Sequence, residues 1–187
     1  DWKGHSGYGD YGDVVEELDD RIGDILKLLD ELELTRNTIV IFISDNGPQG
    51  GEQSSALPFR GKKWSALEGG SRVPAIISWP GKIPAGQESG ALTGAIDLLP
   101  TLCRAAAIDW RAQSKGKPPI DGIDVWDTFL GNGEKHPRSE LLHWHGMESR
   151  PQAFTQGDWK LFLDGRAALD GYKAGKGGVE KSPMLFN

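Results

Sequence analysis

A buried strand that ends on polar oxygen donors is the feature that most constrains this chain. Residues 38–43 form an apolar run rich in β-branched side chains, which is typical of a strand covered on both faces. It is followed directly by Ser44, Asp45, Asn46 and Gly47. Because ligands of open α/β sheets bind beyond the carboxyl ends of the strands, the run predicts an α/β fold with a polar site at this edge.

The two polar residues at the strand end are Asp45 and Asn46. Their carboxylate and amide oxygens are the donors that calcium and magnesium prefer. Neighbouring side chains of a regular strand point to opposite faces, so both can reach one cation only if the backbone bends, and Gly47 permits that bend. Asp-Asn-Gly is equally typical of a turn without a ligand, and the residues alone leave both interpretations open.

The segment before the strand has helical periodicity. Apolar residues recur at three- and four-residue steps over residues 13–33, with charged residues on the opposite face. Asp13 is placed to cap this helix, with Glu16 three residues later as its capping-box partner. A strand that is apolar on both faces favours parallel neighbours, and a second strand is predicted over residues 73–79.

The remainder of the chain combines short helices with short strands. Helices are predicted over residues 95–107 and 125–130, and strands over residues 141–145, 152–155 and 159–163. Pro100 marks either the start of the first helix or a kink in it. The last two strands are joined by a glycine-containing turn, which predicts a hairpin. We therefore expect an α/β core over residues 1–135 and a small antiparallel subdomain over residues 136–187.

Composition excludes several classes of protein. The net charge of −6 argues against nucleic-acid binding, which requires a basic surface. No apolar stretch approaches 18 residues, so no membrane-spanning segment is predicted. The single cysteine, Cys103, lies in an apolar helical context that predicts a buried thiol rather than a nucleophile.

A cluster of cations follows a glycine-rich loop. Arg60 and Lys63 could hold an anionic substrate and stabilise charge that develops on a leaving oxygen. A solvated basic loop is the alternative that their spacing favours. Glu68 and Arg72 are expected to form a structural ion pair.

Histidine and tryptophan side chains are further candidates for the lining of a pocket. His143 and His145 would share one face of a strand, but a third metal ligand is not evident in the sequence. Trp64, Trp144 and both histidines are equally compatible with packing or surface positions.

Five segments, in order, resemble the sulfatase family, and together they extend over nearly the whole chain. They are residues 8–19, 41–47, 59–74, 96–102 and 157–161. The resemblance implies an incomplete alkaline-phosphatase-like sandwich, with helices on a mixed sheet and a small C-terminal antiparallel β subdomain. It also implies hydrolysis of sulfate esters with a calcium ion and a formylglycine nucleophile.

The resemblance assigns roles to three residues. Asp45 and Asn46 correspond to a late pair of calcium ligands, and Lys63 corresponds to the lysine that contacts the sulfate group. Lys62 occupies a position that is often glycine in the family, so the register between Lys62 and Lys63 stays open.

The departures from the family pattern are equally informative. The Cys/Ser-x-Pro/Ala-x-Arg nucleophile motif and the early pair of metal-binding acids are absent, and Cys103 does not lie in such a motif. We therefore expect the C-terminal portion of a sulfatase, carrying half of a calcium site and inactive in isolation. A phosphodiesterase or phosphonate hydrolase of the same superfamily, or a non-catalytic binding module, are the alternatives.

The resemblance also implies partners and a location. The expected ligand is a sulfate-ester small molecule or glycan, with neither nucleic acid nor membrane as a partner. An exposed sheet edge would favour self-association or pairing with the missing N-terminal half. Relatives are often exported, which implies a periplasmic or secreted protein.

Overall fold

The computed structural model describes residues 2–51, 54–132, 137–144, 151–163 and 183–187. These residues fall into two compact units, one before and one after the boundary between Gly81 and Lys82. No helix in the described ranges is long and apolar enough to cross a membrane. The predicted division near residue 135 stays a prediction.

The first unit contains two helices, a 3₁₀ turn and two strands. In order they are α1 (Gly9–Glu31), the 3₁₀ turn (Thr35–Asn37), β1 (Val40–Ile43), α2 (Glu68–Ser71) and β2 (Ala75–Ser78). β1 and β2 pair in antiparallel register, with Val40 opposite Ser78 and Ile43 opposite Ala75. The prediction of a parallel neighbour is wrong for this pairing, because an apolar run does not encode the direction of its partner strand. The predicted burial of the strand is also wrong among the described residues, where residues 40–42 are half-buried and Ile43 is exposed.

The helix α1 begins four residues earlier than predicted, so Asp13 does not cap it. Asp13 is buried inside the helix and accepts hydrogen bonds from the backbone N–H groups of Gly4 and Ser6 and from Ser6 Oγ at 2.7 Å. Glu16 contacts His5 Nδ1 at 2.6 Å instead of the helix start. The carboxylate of Asp13 therefore fixes the loop before the helix.

One face of α1 is apolar and exposed. Val14, Ile25 and Leu28 are each more than half exposed, and so is Ile76 on β2. The described residues thus leave apolar surface on both the helix and the strand pair of the first unit.

The second unit begins with helices and ends with a sheet. Its elements are a 3₁₀ turn (Ala95–Asp97), α3 (Leu98–Ala105), α4 (Trp110–Gln113), α5 (Trp126–Phe129), β3 (Glu140–His143), β4 (Ala153–Gln156), β5 (Trp159–Phe162) and β6 (Met184–Phe186). The strands form an antiparallel sheet in the order β3-β4-β5-β6. The hairpin of β4 and β5 confirms the predicted turn, whereas β6 was not predicted because its three residues follow a segment without clear pattern. Pro100 lies in the first turn of α3, where proline is tolerated.

The segment 96–102, which carries part of the resemblance, has a structural role. Asp97 is buried and accepts hydrogen bonds from Arg138 Nε at 2.9 Å and Nη2 at 2.6 Å, and from the backbone N–H groups of Gly94 and Ile123. Thr101 is fully buried, and its hydroxyl accepts the N–H of Val125 at 2.9 Å. Both polar side chains are occupied by the fold and are not candidates for catalysis.

Candidate functional site

The polypeptide bends immediately after β1. Ser44 N–H donates to Pro74 O at 3.2 Å, which continues the strand pairing by one residue. Ser44 Oγ donates to Asn46 O at 2.8 Å and so closes a tight turn around Asp45. The bend that a shared cation requires at the strand end is therefore present.

The side chains at the bend leave oxygen atoms available. Asn46 Nδ2 donates to Gly47 O at 3.1 Å, which fixes the amide, while its Oδ1 accepts no hydrogen bond from the described residues. Asp45 is exposed, and its carboxylate makes no ion pair or hydrogen bond within the part of the chain that the structure describes. These are the atoms that a cation would contact.

Gly47 packs closely against the backbone of α2. Its N–H donates to Gly70 O at 3.0 Å. A Cβ on Gly47 would overlap Gly69 O and lie 2.9 Å from the Cα of Gly70. Only glycine allows so close an approach of two backbones, so the residue is required by packing and not only by the turn.

The cationic segment, residues 60–63, is hydrogen-bonded through its backbone to the same bend. Lys63 N–H donates to Pro48 O at 2.8 Å, and Gly69 N–H donates to Arg60 O at 2.7 Å. These bonds hold the backbone of residues 44–48 against that of residues 60–70. The sequence does not show contacts between the segments of Asp45 and Lys63, whereas backbone hydrogen bonds connect these segments in the structure.

The two adjacent lysines contact different neighbours. Both are partly buried. The amine of Lys62 lies 3.3 Å from the position that a Cβ on Gly50 would occupy, so this side chain runs along the loop after the bend. Lys63 Nζ lies 5.7 Å from the ring centroid of Trp64, within the range of a cation–π contact.

The donor set fits calcium in kind but not in number. Calcium takes about six to eight oxygen ligands, and Asp45 with Asn46 Oδ1 supplies two types that it commonly uses. In the described ranges no group of three or more His, Cys, Asp or Glu side chains could hold a metal ion. The remaining ligands of such a site would have to come from elsewhere.

The other candidate residues have different neighbours. Glu68 and Arg72 form the expected pair at 3.8 Å, and the guanidinium of Arg72 lies 4.6 Å from the ring of Phe59. His143 belongs to the second unit, where its Nε2 lies 2.8 Å from Thr155 Oγ1. His145 lies outside the described residues.

The backbone contacts between residues 44–48 and residues 60–70 could not be predicted from the sequence. The contributions of Pro48 and Gly69 are made by backbone atoms, which leave no chemical signature in a sequence. The repeated glycines at 69 and 70 were the available signal, since adjacent glycines permit close backbone approach.

Comparison with known proteins supplies the family. The sulfatase family model matches residues 3–108. Human steryl-sulfatase is 35% identical over an alignment that covers 87% of this chain and 29% of the relative. The N-acetylgalactosamine-6-O-sulfatase of Bacteroides thetaiotaomicron is 33% identical, over 98% of this chain and 37% of the relative. The chain thus spans about a third of the length of these curated relatives.

A solved structure agrees with the sequence relatives. The crystal structure of the PsFucS1 sulfatase from Pseudoalteromonas sp. superposes with a TM-score of 0.78 and 29% identity, and covers 100% of this chain and 38% of that one. The expected α/β, alkaline-phosphatase-like fold is therefore confirmed. Because the family model extends over more than half of its residues, the chain belongs to the sulfatase family.

Proposed function

We propose that this chain supplies part of the active site of a sulfate-ester hydrolase. Asp45 and Asn46 hold a calcium ion, and Lys63 contacts the sulfate group. The observation that carries the proposal is the 2.8 Å hydrogen bond from Lys63 N–H to Pro48 O, because it joins the cationic segment to the backbone of the oxygen-donor bend. The family membership supports a sulfate ester as the substrate class.

Each residue has a distinct task in this proposal. The ammonium group of Lys63 stabilises negative charge on the sulfate oxygens or on the leaving oxygen. Asn46 presents Oδ1 to the cation because its Nδ2 is held by Gly47 O. Calcium, when bound, neutralises sulfate oxygens and orients the nucleophile.

The nucleophile belongs to residues beyond these 187. No Cys/Ser-x-Pro/Ala-x-Arg motif is present, so the formylglycine of the proposed mechanism is not formed from Cys103. The isolated chain is accordingly expected to show no turnover. Exposed apolar residues on α1 and β2 are the surface that further polypeptide, or a second copy, would cover.

The substrate and the compartment are proposed from the relatives. Their names specify a steroid sulfate and a 6-O-sulfated amino sugar, so a sulfated small molecule or glycan is proposed for this protein. A periplasmic or secreted location is proposed from the family resemblance alone.

The test compares two esters of one fluorophore. The polypeptide from the complete reading frame that contains this chain is assayed with 4-methylumbelliferyl sulfate and with the phosphodiester bis(4-methylumbelliferyl) phosphate, before and after removal of calcium. We expect the sulfate to be the preferred substrate, with the rate lost on chelation. Preference for the phosphodiester would favour a phosphodiesterase or phosphonate hydrolase, and no hydrolysis of either would favour a binding module. A clear chelator-sensitive rate from the isolated 187-residue chain would contradict the assignment of the nucleophile.

A further inference from the structure

Ser65 is a buried polar residue in the turn that follows Lys63. It is only 8% exposed. Its Oγ donates to Lys62 O at 2.8 Å and accepts from Lys62 N–H at 3.2 Å, and its own N–H donates to the same carbonyl at 3.0 Å. All three bonds go to the backbone of Lys62, the residue directly before the proposed sulfate contact.

The peptide unit between Lys62 and Lys63 is held at both of its polar atoms. Its carbonyl oxygen, on Lys62, accepts from the N–H and the Oγ of Ser65, and its N–H, on Lys63, donates to Pro48 O at 2.8 Å. Pro48 lies two residues after Asn46, at the end of the oxygen-donor bend. Because a peptide unit is planar, bonds at both of its polar atoms fix its orientation, and that orientation sets the direction in which the Lys63 side chain leaves the backbone.

The turn that Ser65 closes does not suit the residue at its centre. Trp64 has a φ of +72°, in the left-handed region that glycine adopts without cost and that large side chains rarely adopt. A conformation of this kind persists only where the surrounding structure imposes it. The two bonds from Ser65 to Lys62 O span Lys63 and Trp64, so they are placed to impose it.

Glycine backbone encloses the hydroxyl of Ser65. A Cβ on Gly61 would lie 2.7 Å from Ser65 Oγ, and a Cβ on Gly70 would lie 2.9 Å from it. Gly70 is in turn bonded to the oxygen-donor bend, because its carbonyl accepts the N–H of Gly47 at 3.0 Å. Ser65 is therefore packed between the turn that carries Lys63 and the backbone that contacts the bend.

We propose that Ser65 is a positioning residue, which fixes the direction in which Lys63 presents its ammonium group to the sulfate ester. The inference rests on the proposed function, since it takes Lys63 as the sulfate contact. Ser65 does not contact the substrate but acts through the backbone of Lys62. Stabilisation of developing charge is most effective when the cation is already in place, because a misdirected lysine would have to be reordered during the reaction.

The test is a double-mutant cycle on the complete polypeptide, with 4-methylumbelliferyl sulfate as the substrate. The values of kcat and KM are measured at saturating calcium for Ser65→Ala, for Lys63→Ala and for the variant with both substitutions. Ser65→Cys fills the same space with a weak hydrogen-bond partner, and it takes the place of Ser65→Ala in the cycle if the alanine variant does not fold. The matched control is Ser114→Ala in the second unit, which also removes a hydroxyl that donates to a backbone carbonyl, that of Trp110 at 2.7 Å.

We expect Ser65→Ala to lower kcat/KM about tenfold when Lys63 is present, mainly through kcat, and less than about twofold when Lys63 is already alanine. Ser65→Cys should lower kcat/KM by about threefold or more, whereas Ser114→Ala should stay within about twofold of the unaltered protein. The calcium concentration that gives half the maximal rate should change by less than about twofold in both Ser65 variants, because the bend of Asp45 and Asn46 is closed separately by Ser44 Oγ.

The outcomes separate the positioning role from a general structural role. An equal loss in both Lys63 backgrounds, a weakened calcium dependence, an equal loss in Ser114→Ala, or an unchanged rate in the Ser65 variants would overturn the proposal. An unchanged rate in Lys63→Ala would instead contradict the proposed function, whatever the result for Ser65.

Discussion

The close approach of Gly47 to α2 makes a quantitative prediction for the variant Gly47→Ala. The added methyl group would overlap Gly69 O and would lie 2.8 Å from the carbonyl carbon of the same residue. Because the obstructing atoms belong to the backbone, they cannot move aside as a flexible side chain would. The two segments must separate, which also weakens the bond from Gly47 N–H to Gly70 O at 3.0 Å.

The expected cost combines overpacking with a weakened hydrogen bond, and amounts to about 2–4 kcal/mol. A matched control is Gly23→Ala in the middle of α1, where an added Cβ meets no atom within 4 Å. That substitution should stabilise the helix by about 0.5–1 kcal/mol, because alanine has the higher helix propensity. The same chemical change is therefore predicted to have opposite signs at the two positions.

The assay is thermal and urea unfolding of both variants beside the unaltered chain, with amide hydrogen exchange as a local readout. For a chain of this size about 1 kcal/mol corresponds to roughly 2–4 °C in midpoint temperature. Gly47→Ala should also speed exchange at the amide of Lys63, whose bond to Pro48 O depends on the same close approach. Unaltered stability of Gly47→Ala, or an equal loss for Gly23→Ala, would refute the argument.

Three further predictions concern separate parts of the structure. In urea unfolding, Trp64→Gly should be more stable than Trp64→Ala by about 1 kcal/mol, because both remove the ring but only glycine suits a φ of +72°. Equal stabilities of the two variants would contradict the left-handed conformation. Asp97→Asn should cost about 3–5 kcal/mol because it leaves the nearly buried guanidinium of Arg138 without its carboxylate. Asp127→Asn, at an exposed ion pair with Arg104, should cost much less. The hydrogen bond from Ser6 Oγ, followed by the backbone N–H donors of Ser6 and Gly4, lowers the pKa of Asp13 below its ordinary value of 3.8. The stabilisation by Asp13 is therefore complete above pH 3.8 and is lost as the pH falls through the lowered pKa. Asp13→Asn should lower the free energy of unfolding at neutral pH, and its difference from the unaltered protein should shrink in acid. A difference that does not change with pH would contradict this.

The elements with strong local signals could be predicted from the sequence. The strand at 40–43, the helix α1 and the hairpin of β4 and β5 all follow from periodicity and turn residues. The predicted start of α1 was wrong because aspartate is a common helix cap, whereas the carboxylate oxygens of Asp13 accept hydrogen bonds from the loop before the helix. A sequence does not distinguish an aspartate that caps a helix from one that accepts hydrogen bonds from a neighbouring loop, because the donors are not known from the sequence.

The candidate site could be predicted only in its residue types. Asp45 and Asn46 were identifiable as oxygen donors, but their bend depends on Ser44 Oγ and on backbone contacts of Gly47 with α2. The direction of β2 could not be predicted either, because an apolar run does not encode the direction of its partner. The left-handed φ of Trp64 had no local signal, since tryptophan is rarely found there.

The central claim is that Lys63, and not its neighbour Lys62, contacts the sulfate group beside the bend of Asp45 and Asn46. Its most direct test is the rate of sulfate-ester hydrolysis by Lys63→Ala and Lys62→Ala variants of the complete polypeptide. The two substitutions are chemically identical and adjacent, yet Lys63 Nζ faces Trp64 whereas the Lys62 side chain runs along Gly50. We predict that Lys63→Ala lowers kcat by about 100-fold or more and that Lys62→Ala changes it by less than about tenfold. A loss of equal size in both variants, or a larger loss in Lys62→Ala, would contradict the account.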